Sequence, residues 1–238
     1  VTPSGSNLSV SSVSATVAQY GDFVVQSDML ELTAVDNTIL ETTKLLGRQA
    51  GLTMDTIVRN ALLLGTNKSY APKFVADTNG VLVETEVTKA ADLDSSAKLT
   101  VDVVQRVVAK LRAQNAPTIG GDYVCIIHPY VAYDLMRDPE WIDAHKYAAP
   151  ENLYTGEIGK LAGVRFVQST EAKIDKGGSS NPSNLAVFHC LFIGDGAYGV
   201  TEVTGGGLQT IVKQKGSSGT ADPLDQRSSV GWKGLKAA

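Results

Sequence analysis

Two pairs of potential ligands stand out in the chain: Cys125 and His128 in "YVCIIH", and His189 beside Cys190 in "VFHCLFI". Structural zinc takes four convergent donors, commonly in C-x-x-C or H-x-x-x-H spacing. Both segments alternate like strands, where residues one or three apart point to opposite faces. Cys125 and His128 therefore diverge, as do His189 and Cys190, and one ion cannot collect all four. The pattern favours core residues with a histidine at a strand end, the cysteines acting as small buried hydrophobes. Two cysteines exclude a disulfide framework and suit a reducing compartment.

Nucleophilic hydrolysis needs Ser or Cys, a base and an orienting carboxylate. The bases available are His128, His145 and His189, but there is no G-x-S-x-G elbow, and the serines gather in loops such as "GGSS" and "GSSG". Asp143 and His145 are two residues apart in "WIDAHKY", so on a helix they do not face each other. The glycines of "GEIGKLAGVRFVQST" (156–170) run into a strand rather than a helix, the wrong order for a dinucleotide-binding loop, so they read as a tight bend. No Walker loop, EF-hand loop or H-E-x-x-H is present. No catalytic residue, metal or cofactor is expected.

Bulk properties narrow the field further. The 238 residues are 43% hydrophobic and 19% charged, enough for a sizeable core, with a net charge of −4. That balance, without an Arg/Lys and aromatic ladder, argues against a nucleic-acid platform. No apolar run approaches the ~18 residues of a membrane span and no export signal opens the chain. Starting at Val1 and closing on "GWKGLKAA", which reads as an interrupted strand, the chain is expected to lack both natural ends.

The elements that position these residues alternate in type. Residues 1–35 hold two β-prone runs on either side of Gly21-Asp22, a two-residue hairpin signal, and too little apolar surface to be a core element. Ile39, Leu46, Ala50, Met54, Ile57, Ala61 and Leu64 form a helical stripe over 36–65, with Asp36 as cap and Gly65 as stop. "TNG" at 78–80 marks a turn. A second helix within 97–115 carries Leu99, Val103, Val107 and Leu111, with Thr100 as cap and Pro117 as terminator. Strand "YVCIIH", helix "PYVAYDLMRD" with Pro129 in its first turn, helical "PEWIDAHKYA", the 156–170 stretch and strand "LAVFHCLFIGDGAYGVTEV" follow. Strands interleaved with helices give an α+β or α/β class.

The order of these pieces, with "IHPYVAYDL", "WIDAHKYAAPENLYTGEIGKLAGVRFVQST", "GAYGVTEV" and "LQTIVKQKGSSGTADPLDQRSSVGWK", resembles the major capsid proteins of tailed bacteriophages, closest to the N4-type family, over nearly the whole chain. The resemblance implies an α+β HK97-like fold. Its parts would be an E-loop hairpin in 1–35 (about 5–33), a P domain over 36–117 with spine helix 36–65 and second helix 97–115, an A domain over 118–205, and a return to the P domain over 206–238. It also implies self-assembly into hexamers and pentamers of an icosahedral head, with the virion as location after assembly in the host cytoplasm. Double-stranded DNA would be enclosed without sequence-specific binding, scaffold, decoration and portal proteins are candidate partners, and no membrane is involved. Inter-subunit contacts are then expected at Val13, Val17, Tyr20, Phe23 and Val25, and deletion of 8–26 is expected to abolish shells while leaving a folded monomer. The rival readings are an encapsulin-like compartment and a soluble hydrolase.

Overall fold

Apolar residues at spacings of two, three and four divide the chain into strands and amphipathic helices. In the computed structural model, which describes residues 10, 12, 14–34, 37–148 (144–148 by backbone alone), 158–177, 185–201, 205–217 and 219–237, these elements run as follows. The first part comprises β1 (Ala18–Ser27), α1 (Asp28–Thr33), α2 (Thr38–Leu63), β2 (Lys73–Ala76), β3 (Leu82–Thr85) and α3 (Val101–Ala113). Then come β4 (Tyr123–Ile127), α4 (Pro129–Met136), α5 (Pro139–Ala148), β5 (Lys160–Leu161) and β6 (Val164–Gln168). The last strands are β7 (Ile174–Asp175), β8 (Val187–Phe188), β9 (Leu191–Ile193), β10 (Gln209–Lys213) and β11 (Arg227–Lys236). Two compact units result, Val1–Val58 with Gly199–Ala238, and Arg59–Tyr198. α3 therefore packs with the strands that follow it.

The first unit is built on a three-stranded antiparallel sheet in the order β1-β11-β10. The expected turn at Gly21-Asp22 is not there: β1 runs straight through, pairing Gly21 with Lys233 and Asp22 with Trp232. The glycine serves close approach instead, because a Cβ on Gly21 would lie 2.6 Å from the Trp232 carbonyl oxygen. Asp36 lies outside the described residues; Asn37 caps α2, its Oδ1 accepting from the Leu40 N–H at 3.2 Å. Leu46 and Ala50 of α2 are buried with Val230 and Trp232 of β11, and Tyr20, Ile39 and Met54 close around them. Burying a side chain the size of Leu or Val stabilises by about 1.5–3 kcal/mol each. Leu64 departs from the expected stripe and is exposed, because the helix stops at Leu63 and Gly65 N–H bonds back to the Leu62 carbonyl.

The second unit centres on a sheet ordered β5-β6-β4-β9, with β4 parallel to β6 and antiparallel to β9. Tyr123, Cys125 and Ile127 alternate into the core and meet Val101, Val104 and Val108 of α3, Leu135 of α4 and Trp141 of α5. The buried face of α3 is offset from the expected stripe: Val103 is buried beside it, Leu99 and Leu111 are half-buried, and Val107 is only partly covered. Thr100 caps α3 as expected, its Oγ1 accepting from Val103 N–H at 3.4 Å, and Pro129 opens α4. The bend expected in "GKLAG" is the tight hairpin between β5 and β6, with Ala162 at φ 53° and Gly163 at φ 81°. Positive φ at both central positions is the two-residue turn whose twist matches the flanking strands. The bend delivers Val164 and Phe166 into the core beside β4; Gly156 lies outside the described residues.

Candidate assembly surface

β1 has two unlike faces. Tyr20, Asp22, Val24 and Gln26 alternate toward α2: Asp22 Oδ2 accepts from Gln49 Nε2 at 2.6 Å, and the buried Gln26 donates from Nε2 to the Thr38 carbonyl at 3.1 Å and to Thr42 Oγ1 at 2.5 Å. Phe23 and Val25 point the other way and are 69% and 50% exposed. Phe23 pairs with Gly231, which pairs with Ile211 of β10, so a row of phenylalanine, glycine and isoleucine crosses the outer face of the sheet. Gly231 has no room for a side chain, since a Cβ there would meet Phe23 Cβ at 2.8 Å. Among the described residues, β1 and β10 are each hydrogen-bonded to β11 alone, leaving both outer edges open for pairing.

Of the five expected contact residues, Phe23, Val25 and Val17 are exposed, while Tyr20 packs mainly into the subunit's own core. Val13 lies outside the described residues. The bridging role of Gln26 was not legible in the sequence, because its partners belong to a helix that has to fold against the strand first. Nor did the sequence mark α1, which buries none of its residues while exposing Met29, Leu30 and Leu32.

The candidate ligands and bases fall elsewhere. Cys125 is fully buried, and burial together with nearby Cys190 pushes its thiol well above the usual range. Burial raises the Cys190 thiol to about 12. Both are neutral at pH 7 and are weak nucleophiles and ligands. His128 caps α4, its Nδ1 accepting from Tyr130 N–H at 3.2 Å, with its ring 5.0 Å from Tyr130 and 5.3 Å from Phe188. His189 Nε2 lies 2.8 Å from Asp175 Oδ2, a contact that with the adjacent Lys173 holds Asp175 below the usual carboxylate range. The side chain of His145 is outside the described residues. Among the described residues no three His, Cys, Asp or Glu converge on a metal position, and no helix is long and apolar enough to cross a membrane.

The same architecture occurs in solved phage capsids. Similar structures include the capsid of cyanophage P-SCSP1u, with TM-score 0.65 and 13% identity over 94% of this chain and 69% of that one. The capsid of Helicobacter pylori bacteriophage KHP30 follows at TM-score 0.63 and 12% identity, over 94% and 68%. The capsid of Ralstonia phage GP4 matches at TM-score 0.62 and 14% identity, again over 94% and 68%. The fold is therefore the HK97-like, α+β capsid fold. A family model described as phage capsid protein matches residues 10–237, and the chain belongs to that family: it is a structural major capsid protein of the phage head shell. The match reaches the family as a whole, so the narrower N4-type likeness rests on the quoted sequence blocks alone. No curated protein matches the chain.

Proposed function

We propose that copies of this chain assemble into hexamers and pentamers that close an icosahedral shell around double-stranded DNA, without catalysis and without reading the DNA sequence. The observation that carries the reading is the outer face of β1 and β10: an apolar row, Phe23–Gly231–Ile211, beside open strand edges, in a chain of the phage capsid family. Contiguous exposed apolar surface of this kind marks an interaction site. By the same resemblance residues 5–33 are the E-loop, 36–117 the P domain, 118–205 the A domain and 206–238 the return to the P domain. The pairing of β10 and β11 with β1, under α2, supports the return.

The contact set then centres on Val17, Phe23 and Val25. Deleting 8–26 is a poor test, because Tyr20 and Gln26 are anchored in the subunit's own core and hydrogen bonding. Phe23→Asp with Val25→Asp changes only the outer face. Negative-stain electron microscopy of the unsubstituted chain should show closed shells or ring-shaped capsomers, and the double variant should stay as small folded species with an unchanged circular dichroism spectrum. Normal shells from the double variant would rule this face out.

A further inference from the structure

Asparagine followed by glycine occurs once in the chain, at Asn79-Gly80. The pair sits at the tip of the β2–β3 hairpin, and both residues are exposed. The Asp77 carbonyl accepts from Gly80 N–H at 2.8 Å, and Asp77 N–H donates to the Val81 carbonyl at 2.7 Å. Thr78, Asn79 and Gly80 thus form a three-residue connection ending on a glycine at φ 77°, the left-handed position that such loops require.

An asparagine in this setting can react with its own backbone. The nitrogen of the following residue gives up its proton and attacks the side-chain amide carbon. A C–N bond forms to close a succinimide ring, the bond from Cγ to Nδ2 breaks, and the amide nitrogen leaves as ammonia with the proton. Water then opens the ring at either carbonyl, giving aspartate or, with the chain rerouted through the side chain, isoaspartate. The balance is asparagine plus water to aspartate plus ammonia, so no oxidant and no second reactant is needed. A glycine on the attacking side favours the step, having no Cβ to crowd the approach.

Among the described asparagines, Asn79 meets these conditions best. Asn37 spends its Oδ1 on the α2 cap, Asn60 Oδ1 accepts from Arg59 Nη2 at 3.3 Å, and Asn67 Nδ2 donates to Gln114 Oε1 at 2.9 Å. Asn115 is followed by an alanine, whose N–H is bonded to the Leu111 carbonyl at 3.0 Å. The Asn79 carboxamide has no hydrogen bond among the described residues, and the space around Gly80 is open. Only the bond to Asp77 restrains the Gly80 nitrogen. The hairpin is anchored below its tip, by Glu84 to Arg106 at 2.6 Å and by Phe74 N–H to Ser96 Oγ at 2.9 Å. A two-stranded ribbon is marginal by itself, and opening at its unanchored end costs little.

We infer that Asn79 is a self-modifying site, converting spontaneously to aspartate and isoaspartate in the folded chain. Conversion adds one negative charge to the net −4, two residues from Asp77. Aspartate suits the turn, whereas isoaspartate inserts a methylene into the backbone and breaks the bond between Asp77 and Gly80.

The purified chain, held in mildly alkaline buffer and sampled by peptide mass spectrometry, tests this. The peptide spanning Asn79 should gain the mass difference between a hydroxyl and an amino group and split into two isomers on chromatography. Peptides carrying Asn37, Asn60 and Asn67 should stay unchanged over the same period. Asn79→Gln, whose longer side chain closes the ring far more slowly, should lose the shift while the circular dichroism spectrum is unaltered. The same chain unfolded in guanidinium chloride shows the unrestrained reaction. Conversion there without conversion in the folded chain would overturn the inference, because the bond from Gly80 to Asp77 would then protect the site. Equal rates at Asn67 and Asn79, or a shift that persists in Asn79→Gln, would overturn it as well.

Discussion

At the scale of single residues, the titratable groups serve structure. Cys125 and Cys190 are held neutral by burial, and His128 spends its Nδ1 lone pair on a helix cap. The opposite-face argument from strand periodicity separated Cys125 from His128 in the sequence, and the strand-to-helix junction at 127–129 is its structural counterpart. The His189–Asp175 contact was not legible, because it joins positions fourteen apart across the β7–β8 pair. Its pH dependence follows from the direction of the shift. Asp175 has a native pKa below the unfolded value of roughly 3.9, so its contribution is complete above that value and is lost as pH falls through the lowered native one. Asp175→Ala should therefore lower stability at pH 7 by at most about 1 kcal/mol, a partly exposed pair being heavily screened, and the difference from the unsubstituted chain should shrink toward pH 2. Urea unfolding at several pH values between 5 and about 2, the range over which carboxylates titrate, measures it, and a difference that grows as pH falls through that range would contradict the assignment.

At the scale of elements, helices were read more faithfully than strands. The stripe from Ile39 to Met54 and the Thr100 cap are local signals, spaced within one or two helical turns, and both are realised. The hairpin expected at Gly21-Asp22 failed because the glycine answers to a strand some two hundred residues away in sequence, whose Trp232 carbonyl occupies the space a side chain would need. Gly21→Val should accordingly destabilise the first unit by about 1–3 kcal/mol, the usual cost of overpacking. Had Gly21 been a turn residue, a β-branched side chain would disturb only local backbone; a thermal melt unchanged by the substitution would argue for a turn at Gly21-Asp22. The β5–β6 bend shows the opposite case, where Ala162 and Gly163 take the positive φ angles of a two-residue hairpin turn and the expected local bend is what forms.

At the scale of the whole molecule, the net charge of −4 bears on the proposed enclosure of DNA. Affinity for the phosphate backbone comes from releasing counterions with Lys and Arg, and a mildly acidic chain has no excess to offer. In a gel-shift assay at physiological salt, the unassembled chain should leave duplex DNA of any sequence unretarded, and a sequence-selective shift would contradict enclosure without readout. The composition, the helical periodicities and the order of elements were determined by the sequence itself, because hydrophobic spacing and caps act over a few residues. That order, in blocks such as "IHPYVAYDL", already matched the capsid family. Only the tertiary structure decided which face of β1 turns toward α2, that β11 lies between β1 and β10, that α3 shares a core with β4, and that α1 buries none of its residues among those described. Each of those depends on contacts between residues far apart in the chain, where a strand has two equivalent faces and nothing local says which partner will cover one of them.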